Sequence, residues 1–313
     1  MTGKITEDMF RSEKIISKKG GHKVEAEIFT DLGANLGSFK VNGRELIYFP
    51  KDKLIKEDYH SGCFMMFPTP CRLTDSRYTF GGKKILQKKH GQDVSIHGLI
   101  RDETMTTSRQ GDSLVCSIDI APGHPVYEGY PFKCRFSLKF TALERGLEIA
   151  FKYENTGYEA APFGFGLHPF WGIPGQRKDV FVRVPCRYVM ELVDLIPTGE
   201  LTEVEGTSYD IRDFKSLAEV SIDNVFWGRD MSVDQAIEFR DIALRLTLES
   251  SEEFGFMIAY TPAGEPFACV EQLTCAPDAP NLYAKDKAEI SGLRVVSAGE
   301  VVEGWVRYKV SDL

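Results

Sequence analysis

Paired cysteines, basic surfaces and long apolar runs are scarce in this sequence, and each scarcity disfavours a class of protein. The seven cysteines are an odd number, no CxxC pair occurs, and there is no N-x-[ST] glycosylation acceptor. Reduced thiols of this kind are typical of a cytoplasmic protein. No stretch approaches the roughly 18 apolar residues of a membrane-spanning helix, and the N-terminal residues contain no apolar segment of a secretory signal. We therefore expect a cytoplasmic protein.

The charge balance argues against partners that attract basic surfaces. The 313 residues include 46 acidic and 38 basic side chains, which gives a formal net charge of −8. Nucleic-acid-binding proteins show a basic face, and anionic membrane surfaces also attract basic residues. We therefore expect neither nucleic acid nor a membrane as a partner.

Motifs for nucleotide, zinc and serine chemistry are also missing. Gly164 and Gly166 begin a GxGxxG pattern, but Pro169 stands at its last position and no βαβ context surrounds it. The sequence contains no GxxxxGK[ST], no HExxH and no GxSxG. The cysteines lack the close spacing of a zinc site. The sequence therefore indicates no metal site.

Short runs of alternating apolar and polar residues dominate what is present. Such alternation is typical of half-buried strands, and a short apolar run that ends at proline indicates a strand buried on both faces. Turn sequences such as VNGREL separate the runs, and only residues 209–218 suggest a helical turn or two. We predict an all-β chain with a few short helices, folded as one large antiparallel β-sandwich over residues 1–313. Two smaller sandwiches are the alternative. The alternating runs are RFSLKF, LEIAFKY, IALRLTLE and WVRYKV, and the continuous run is GFMIAYTP.

Six ionisable side chains lie in apolar or glycine-rich surroundings. A buried charge is unfavourable unless it is paired or functional, so these residues are candidates for a site. Each one taken alone is as well explained by a structural role. Together they could bind a sugar, because polar groups bind hydroxyls and aromatic rings cover C–H patches. The six residues are Arg72, His97, Arg101, His168, Asp223 and Glu271.

Aromatic residues and further histidines complete the inventory. Aromatic rings crowd the same segments and are candidate sugar-stacking plates, whereas four other histidines stand among turn residues and charges, as solvated loop residues do. The aromatic residues are Phe67, Phe163, Phe165, Phe170, Trp171, Phe226 and Trp227, and the remaining histidines are His22, His60, His90 and His124.

An ordered series of motifs makes the chain resemble the aldose 1-epimerases, or galactose mutarotases. HGLIRD at 97–102 is similar to the family's His-Gly-x-x-Arg, and PFGFGLHPFW at 162–171 resembles its Gly-x-His-Pro-aromatic-aromatic segment. VEQLTCAPDAPN at 270–281 resembles its Glu-x-x-Thr segment with a following Asp-Ala-x-Asn. PTPCRLTDSRYTFGGKK, LIPTGE and SIDNVFWG also match in order. The resemblance covers most of the chain.

Three segments depart from the family pattern, at five positions, and leave the charged positions intact. Met105 stands where a tryptophan is usual, Phe170 and Trp171 replace a tyrosine–phenylalanine pair, and Gln272 with Leu273 replaces a common Pro-Trp. These departures concern the identity of the sugar.

The resemblance implies a fold, an activity and a set of roles. The fold would be the galactose mutarotase-like supersandwich, and the reaction would interconvert the α and β anomers of a hexose with no cofactor. Glu271 would be the base at O1, His168 the acid at O5 with a pKa near 7, and His97 a hydrogen-bonding group near O5. Arg72, Asp223 and Arg101 would bind substrate. The partner would be a small-molecule sugar, and the chain a monomer or homodimer.

Two other functions remain open at the level of sequence. A hexose-6-phosphate 1-epimerase of the same fold would need cations for the phosphate, which Arg72, Arg77, Lys83, Lys84 and Arg101 could supply. A non-catalytic carbohydrate-binding β-sandwich could keep Arg72, Asp223 and the aromatic rings, but it would not need both His168 and Glu271.

Overall fold

The fold is seen in a computed structural model that describes residues 10–57, 59–88 and 95–313. Over these ranges the short α-helices are α1 Lys51–Glu57, α2 Pro125–Gly129, α3 Ala279–Tyr283 and α4 Ala288–Ser291. Single 3₁₀ turns occupy Thr74–Ser76, Arg177–Asp179 and Arg240–Ile242. No helix among the described residues is long and apolar enough to cross a membrane.

Strands make up most of the remaining structure. In chain order, the strands of the described ranges are β1 Ser12–Lys19, β2 His22–Phe29, β3 Asn35–Val41, β4 Arg44–Glu45, β5 Cys63–Met66, β6 Arg77–Phe80, β7 Lys83–Leu86, β8 Thr106–Gln110, β9 Ser113–Ile120, β10 Cys134–Leu143, β11 Gly146–Asn155, β12 Ala161–Phe163, β13 Gly166–Gly172, β14 Val180–Arg183, β15 Cys186–Val193, β16 Ile196–Glu203, β17 Lys215–Ser216, β18 Asp223–Arg229, β19 Gln235–Phe239, β20 Leu244–Ser250, β21 Phe256–Tyr260, β22 Phe267–Leu273, β23 Arg294–Val296 and β24 Val301–Asp312.

Antiparallel pairing arranges these strands into two large sheets. The first sheet has the order β1-β2-β3-β5-β13-β22-β21-β18-β15-β16, with β4 paired to β3. The second has the order β17-β14-β19-β20-β24-β11-β10-β9-β8, and β12 with β23 and β6 with β7 form small ribbons. One hydrophobic core cluster contains residues of both large sheets. The prediction of an all-β fold with a large antiparallel β-sandwich is confirmed.

The four alternating runs of the sequence lie together in the second sheet. They form the adjacent strands β20, β24, β11 and β10. Burial alternates along β10, where Phe136, Leu138 and Phe140 are buried and the residues between them are more exposed. An antiparallel sheet with one face on the core and one face in water produces this alternation.

The central strands of the first sheet are buried on both faces. Every residue of β5 and β22 is buried, and so is every residue of β13 except Gly172. The continuous run GFMIAYTP forms the buried strand β21, as the sequence predicts. One face of these strands packs on the second sheet, and the opposite face belongs to a separate core cluster.

The helical turn predicted for residues 209–218 is wrong. These residues form turns that lead into the short strand β17, which pairs with β14. The Asp210 carboxylate accepts hydrogen bonds from the Arg212 guanidinium at 2.7 and 2.8 Å. Such a local side-chain contact stabilises a turn in competition with a helix.

Candidate active site

The six ionisable residues singled out in the sequence line one pocket. The pocket has a volume of about 500 Å³ and opens on the face of the first sheet that points away from the second sheet. Strand alternation determines this placement. In β13, Leu167 and Trp171 belong to the core between the sheets, whereas Phe170 belongs to the opposite face. The site residues in the pocket are Arg72, His97, Arg101, His168, Asp223 and Glu271.

Cross-strand register brings His168 and Glu271 together. β13 and β22 pair with Leu167 opposite Gln272 and Phe170 opposite Cys269, so the same register sets His168 opposite Glu271. The Nε2 atom of His168 lies 3.2 Å from Oε1 of Glu271. Phe64 on β5 is the next residue in this row, and its ring lies 4.6 Å from the His168 ring.

A neighbouring segment forms one wall of the pocket and needs an unusual backbone. His97 and Gly98 have φ values of 63° and 72°, in the left-handed region. A Cβ atom at residue 98 would lie 2.3 Å from the carbonyl oxygen of Phe67, so only glycine fits there. The backbone N–H of His97 donates to the carbonyl of Cys71 at 2.8 Å. This packing holds the His97 ring over the floor, 5.0 Å from the His168 ring.

Asp278 supports the wall that carries Arg72. Its backbone N–H donates to the carbonyl of Arg72 at 3.0 Å. Its carboxylate accepts from the N–H of Thr74 at 3.0 Å, from the Thr74 hydroxyl at 2.7 Å and from the Asn281 amide at 2.7 Å. The Asp-Ala-x-Asn part of the motif therefore tethers the backbone beside the site.

Burial shifts the pKa values of the central pair in opposite directions. Removal from water raises the pKa of Glu271 well above 4.5, and the nearby Asp223 carboxylate acts in the same direction. Removal from water lowers the pKa of His168 to about 3, and the positive charge of Arg101 also lowers it. Both shifts favour the neutral form of each group, in which the carboxyl group of Glu271 donates to Nε2 of a neutral His168 imidazole.

The lowered pKa of His168 differs from the expectation of a value near 7, and the raised pKa of Glu271 favours its protonated form. The physical reason is that both side chains are almost fully enclosed, with exposed fractions of 2 % and 8 %. Within the described part of the chain, His168 Nδ1 and Glu271 Oε2 have no hydrogen-bond partner. A charge on either group is therefore poorly solvated in this structure.

We expect the Glu271→Gln variant to be more stable than the wild type at pH 7. Because the pKa of Glu271 is raised on folding, its contribution to stability is present below about pH 4.5 and is lost as the pH rises. A neutral amide avoids this loss. Urea unfolding of both proteins between pH 4 and pH 7 should show a difference that grows with pH. A variant that is less stable at every pH would indicate an ion pair instead.

The pKa values of His97 and Asp223, two further groups in the pocket, are also shifted. Burial, with the positive charges nearby, lowers the pKa of His97 well below 6.5, so its imidazole is neutral at pH 7. His97 Nδ1 lies 3.1 Å from Sδ of Met66. Since a thioether only accepts, Nδ1 carries the hydrogen and Nε2 is an acceptor. Burial raises the pKa of Asp223, and Arg72 opposes this shift.

Most of the aromatic plates expected in the site lie in the core instead. Among the described residues that line the pocket, Phe170 is the only member of the expected set. Phe67 stacks on Phe136 between the sheets at 4.7 Å, and Trp171 contacts Tyr308 at 4.8 Å. The cause is alternation, because side chains one residue away from a site residue point to the opposite face. The aromatic residues that line the pocket are Tyr59, Phe64, Phe170, Tyr260 and Phe267.

The interpretation of His60 as a solvated loop histidine is wrong. Its side chain is 7 % exposed, lines the pocket, and places Nε2 3.5 Å from the carboxylate of Asp102. The nearby aromatic residues Tyr59 and Phe64, which also line the pocket, were the sequence signal that His60 belongs to the site. Of the other histidines, His124 caps α2, His22 contacts Asn42 at 3.0 Å, and His90 lies outside the described residues.

Three of the five cations considered for a phosphate lie away from the pocket. Lys83 and Lys84 belong to the β6–β7 hairpin, where Lys83 pairs with Glu159. Arg77 donates to the carbonyl of Asp75 at 3.2 Å. Arg72 and Arg101 line the pocket. No group of three or more metal-ligating side chains occurs in residues 10–57, 59–88 and 95–313.

Comparisons with known proteins agree with this architecture. A family model described as aldose 1-epimerase matches residues 14–309. The chain is 26 % identical to mouse galactose mutarotase over 148 residues, which is 45 % of this chain and 42 % of that protein. It is 22 % identical over 221 residues to the uncharacterised protein YihR of Escherichia coli K12, across 69 % of this chain and 71 % of that one.

Solved structures show the same fold. A galactose mutarotase-like protein of Clostridium acetobutylicum superposes with a TM-score of 0.83 at 20 % identity, over 97 % of this chain and 99 % of that one. A galactose 1-epimerase of Lactobacillus acidophilus superposes with a TM-score of 0.70 at 13 % identity, over 97 % and 99 % of the two chains. Since the family model spans nearly the whole sequence, this chain belongs to the aldose 1-epimerase family.

Proposed function

We propose that the protein is a mutarotase that interconverts the α and β anomers of a hexose by opening and closing the sugar ring. The observation that carries the proposal is the His168–Glu271 contact of 3.2 Å at the buried floor of a pocket. An acid and a base that share one proton are the minimum apparatus for this reaction. Arg72 and Asp223 line the same pocket and can bind hydroxyls.

The proton balance of the pair suits the reaction. A carboxylic acid with a neutral imidazole and a carboxylate with an imidazolium contain the same number of protons. Transfer of the shared proton from Glu271 to His168 Nε2 therefore prepares a base and an acid in one step. The apolar surroundings disfavour the carboxylate–imidazolium form of the pair. The polar O1 and O5 atoms of a bound sugar would stabilise it by hydrogen bonding.

This pair alone can take up and supply the protons that the reaction moves. Glu271 removes the proton from O1, C1 and O1 form a carbonyl, and the C1–O5 bond breaks. O5 takes the proton from His168 Nε2, and the aldehyde rotates about the C1–C2 bond. In the reverse sequence O5 attacks the other face, His168 recovers its proton from O5, and Glu271 returns its proton to O1.

The surrounding polar groups would orient the ring. Arg72 and Arg101 donate to hydroxyls, and Asp223 accepts from them. His97 would accept a hydrogen bond from a hydroxyl through Nε2, because its Nδ1 faces Met66. The family resemblance implies a hydrogen bond from His97 near O5, and the acceptor at Nε2 limits such a bond to a hydroxyl group that donates.

We expect the pH–rate profile to show no acid limb near pH 6.5. The pair keeps its single proton between the lowered pKa of His168, about 3, and the raised pKa of Glu271. Activity should therefore fall only well below pH 6.5 on the acid side, as a second proton binds, and it should show no limb at the ordinary histidine pKa. Initial mutarotation rates from about pH 4 to 9, corrected for the uncatalysed rate, measure this profile. An acid limb centred near pH 6.5 would contradict it.

A phosphorylated hexose is the second candidate substrate, and the positive charges of Arg72 and Arg101 in the pocket favour it. The polarimetric relaxation of α-D-glucose and α-D-galactose, with and without the protein near pH 7, tests the first proposal. Acceleration of either sugar supports it. If only hexose 6-phosphates are accelerated, the second candidate is correct, and a protein that binds sugar without acceleration is a carbohydrate-binding module.

A further inference from the structure

Arg72 and His97 stand on two irregular segments, residues 67–76 and 95–101, which run beside each other along the pocket. Isolated bridges join the two segments, one of them between Arg72 and Ile96. The strands that carry the acid–base pair have sheet partners on both sides, whereas isolated bridges fix a backbone only at single points. The positions of Arg72 and His97 therefore depend on side-chain contacts with the rest of the fold.

The backbone of these segments needs such contacts, because several of its residues have left-handed φ values. Cys71, Ser76 and His97 have φ values of 55°, 56° and 63°. Residues other than glycine keep this conformation only where the surrounding structure holds them in it. The wall that presents Arg72 and His97 to the pocket therefore requires contacts that hold its backbone in place.

One buried side chain, that of Gln87, contacts both segments. Gln87 follows β7 and is fully buried, with an exposed fraction of 0 %. Its amide Nε2 donates to the hydroxyl of Thr69 at 2.5 Å and to the hydroxyl of Ser95 at 3.2 Å. Its backbone N–H donates to the carbonyl of Ser76 at 2.8 Å. A single residue thus joins the two segments.

Ser76 closes this set of contacts, which we call the Gln87 network and which consists of Thr69, Ser76, Gln87 and Ser95. The Ser76 hydroxyl accepts from the backbone N–H of Ser95 at 2.7 Å. Thr69, Ser76 and Ser95 are all buried, so water has little access to them. Removal of one member leaves buried polar groups unpaired, which costs more than the hydrogen bond itself contributes. We therefore expect the network to hold or to loosen as a unit.

We propose that Gln87 is a positioning residue, which holds the wall so that Arg72 and His97 meet a bound ligand in the correct geometry; this inference rests on the proposed mutarotase function. Gln87 is fully buried and is not one of the residues that line the pocket, so it acts through the segments that the network joins. The acid–base pair stands on β13 and β22, which are not part of the network. Loss of the network should therefore weaken the binding contacts and leave the proton transfers intact.

The first test is the Gln87→Met variant, which keeps the length of the side chain and removes its hydrogen bonds. For a sugar that the wild type accelerates, we expect KM to rise roughly three- to tenfold, the effect of about one hydrogen bond, while kcat changes little. A purely structural role gives the opposite result, because loss of folded protein lowers the apparent kcat and leaves KM unchanged. Thr69→Val removes the other partner of the contact and should give the same rise in KM.

The double variant Gln87→Met, Thr69→Val should raise KM little more than either single variant, because both substitutions remove the same contact. The matched control is Gln235→Met. Gln235 lies on β19 of the second sheet and is also fully buried, and its Oε1 accepts from the amide of Gln272 at 3.1 Å. Gln235→Met removes a buried glutamine amide outside the wall, so this variant should keep the wild-type KM.

Hydrogen exchange followed by mass spectrometry tests the network without any sugar. Peptides that contain residues 67–76 and 95–101 should exchange faster in Gln87→Met than in the wild type, and at the wild-type rate in Gln235→Met. If the wild type accelerates no sugar, the proposed function fails, and faster exchange confined to these segments still supports the network. Where a sugar binds without acceleration, its calorimetric dissociation constant replaces KM.

Either of two results overturns the proposal. One is unchanged hydrogen exchange of both segments in Gln87→Met, which would mean that other contacts hold the wall. The other is an unchanged KM or dissociation constant in Gln87→Met, whatever the change in kcat, which would mean that the network does not position the residues that bind the ligand.

Discussion

Glu271→Gln should lower kcat for hexose mutarotation by about 10²–10⁴-fold, the range that general acid–base catalysis typically contributes. The amide has nearly the shape of the carboxyl group and can donate to His168 Nε2 as the protonated carboxyl does. It can neither give up the shared proton nor remove a proton from O1. KM should change less than kcat, because the loss concerns the transition state. Polarimetric initial rates at several sugar concentrations measure both constants.

A matched Glu→Gln substitution controls for the change in net charge. Glu303 lies on β24 of the second sheet, 3.9 Å from Lys152 and outside the pocket, so Glu303→Gln should retain wild-type rates. The near-ultraviolet circular dichroism of Glu271→Gln should match that of the wild type, since its fold is expected to be more stable at pH 7. A folded Glu271→Gln protein with normal kcat would remove Glu271 from the mechanism.

His168→Asn should also lower kcat by about 10²–10⁴-fold. Asparagine can fill part of the space and form hydrogen bonds, but it does not accept a proton from Glu271 at neutral pH. No acid would then protonate O5 during ring opening. The C1–O5 bond would break with an uncompensated negative charge on O5. The Glu271→Gln, His168→Asn double variant should be little slower than either single variant, because the two residues share one proton and act as a unit.

The control for this substitution is His124→Asn. The side chain of His124 caps α2 by accepting from the N–H of Val126 at 3.2 Å, and asparagine is also a favourable N-cap. This variant should keep its activity. If the rate reductions of the two single variants multiply in the double variant, the residues act independently. That result would contradict the shared-proton interpretation.

The residues of the site could be predicted because ionisable side chains stand in apolar or glycine-rich segments. Glu271 interrupts an apolar strand, and His168 stands in a glycine–aromatic segment. Such placements are unfavourable without a partner or a function. The face on which neighbouring aromatic rings lie was harder to predict. Phe170 lies on the same face of the strand as His168 and lines the pocket. Trp171 lies on the opposite face and packs in the core.

The histidines show the limit of local context. His60 stands among charged and polar residues, as a solvated loop residue does. Residues distant in the chain contact it and its neighbour: the Asp102 carboxylate lies 3.5 Å from Nε2 of His60. The Asn35 amide donates to the carbonyl of Ser61 at 2.8 Å. No pattern within ten residues of His60 contains that contact.

By itself, the sequence determined the class of fold and the chemical groups of the site. Period-two alternation predicts strands with one buried face. The ionisable residues in apolar segments indicate which chemical groups can react. The tertiary structure alone decided which groups meet and in which direction their pKa values shift. His168 and Glu271 become neighbours through the register of β13 and β22. Their pKa values follow from enclosure by Phe64 and Phe170, because desolvation is a property of the assembled sheet and not of any segment of the chain.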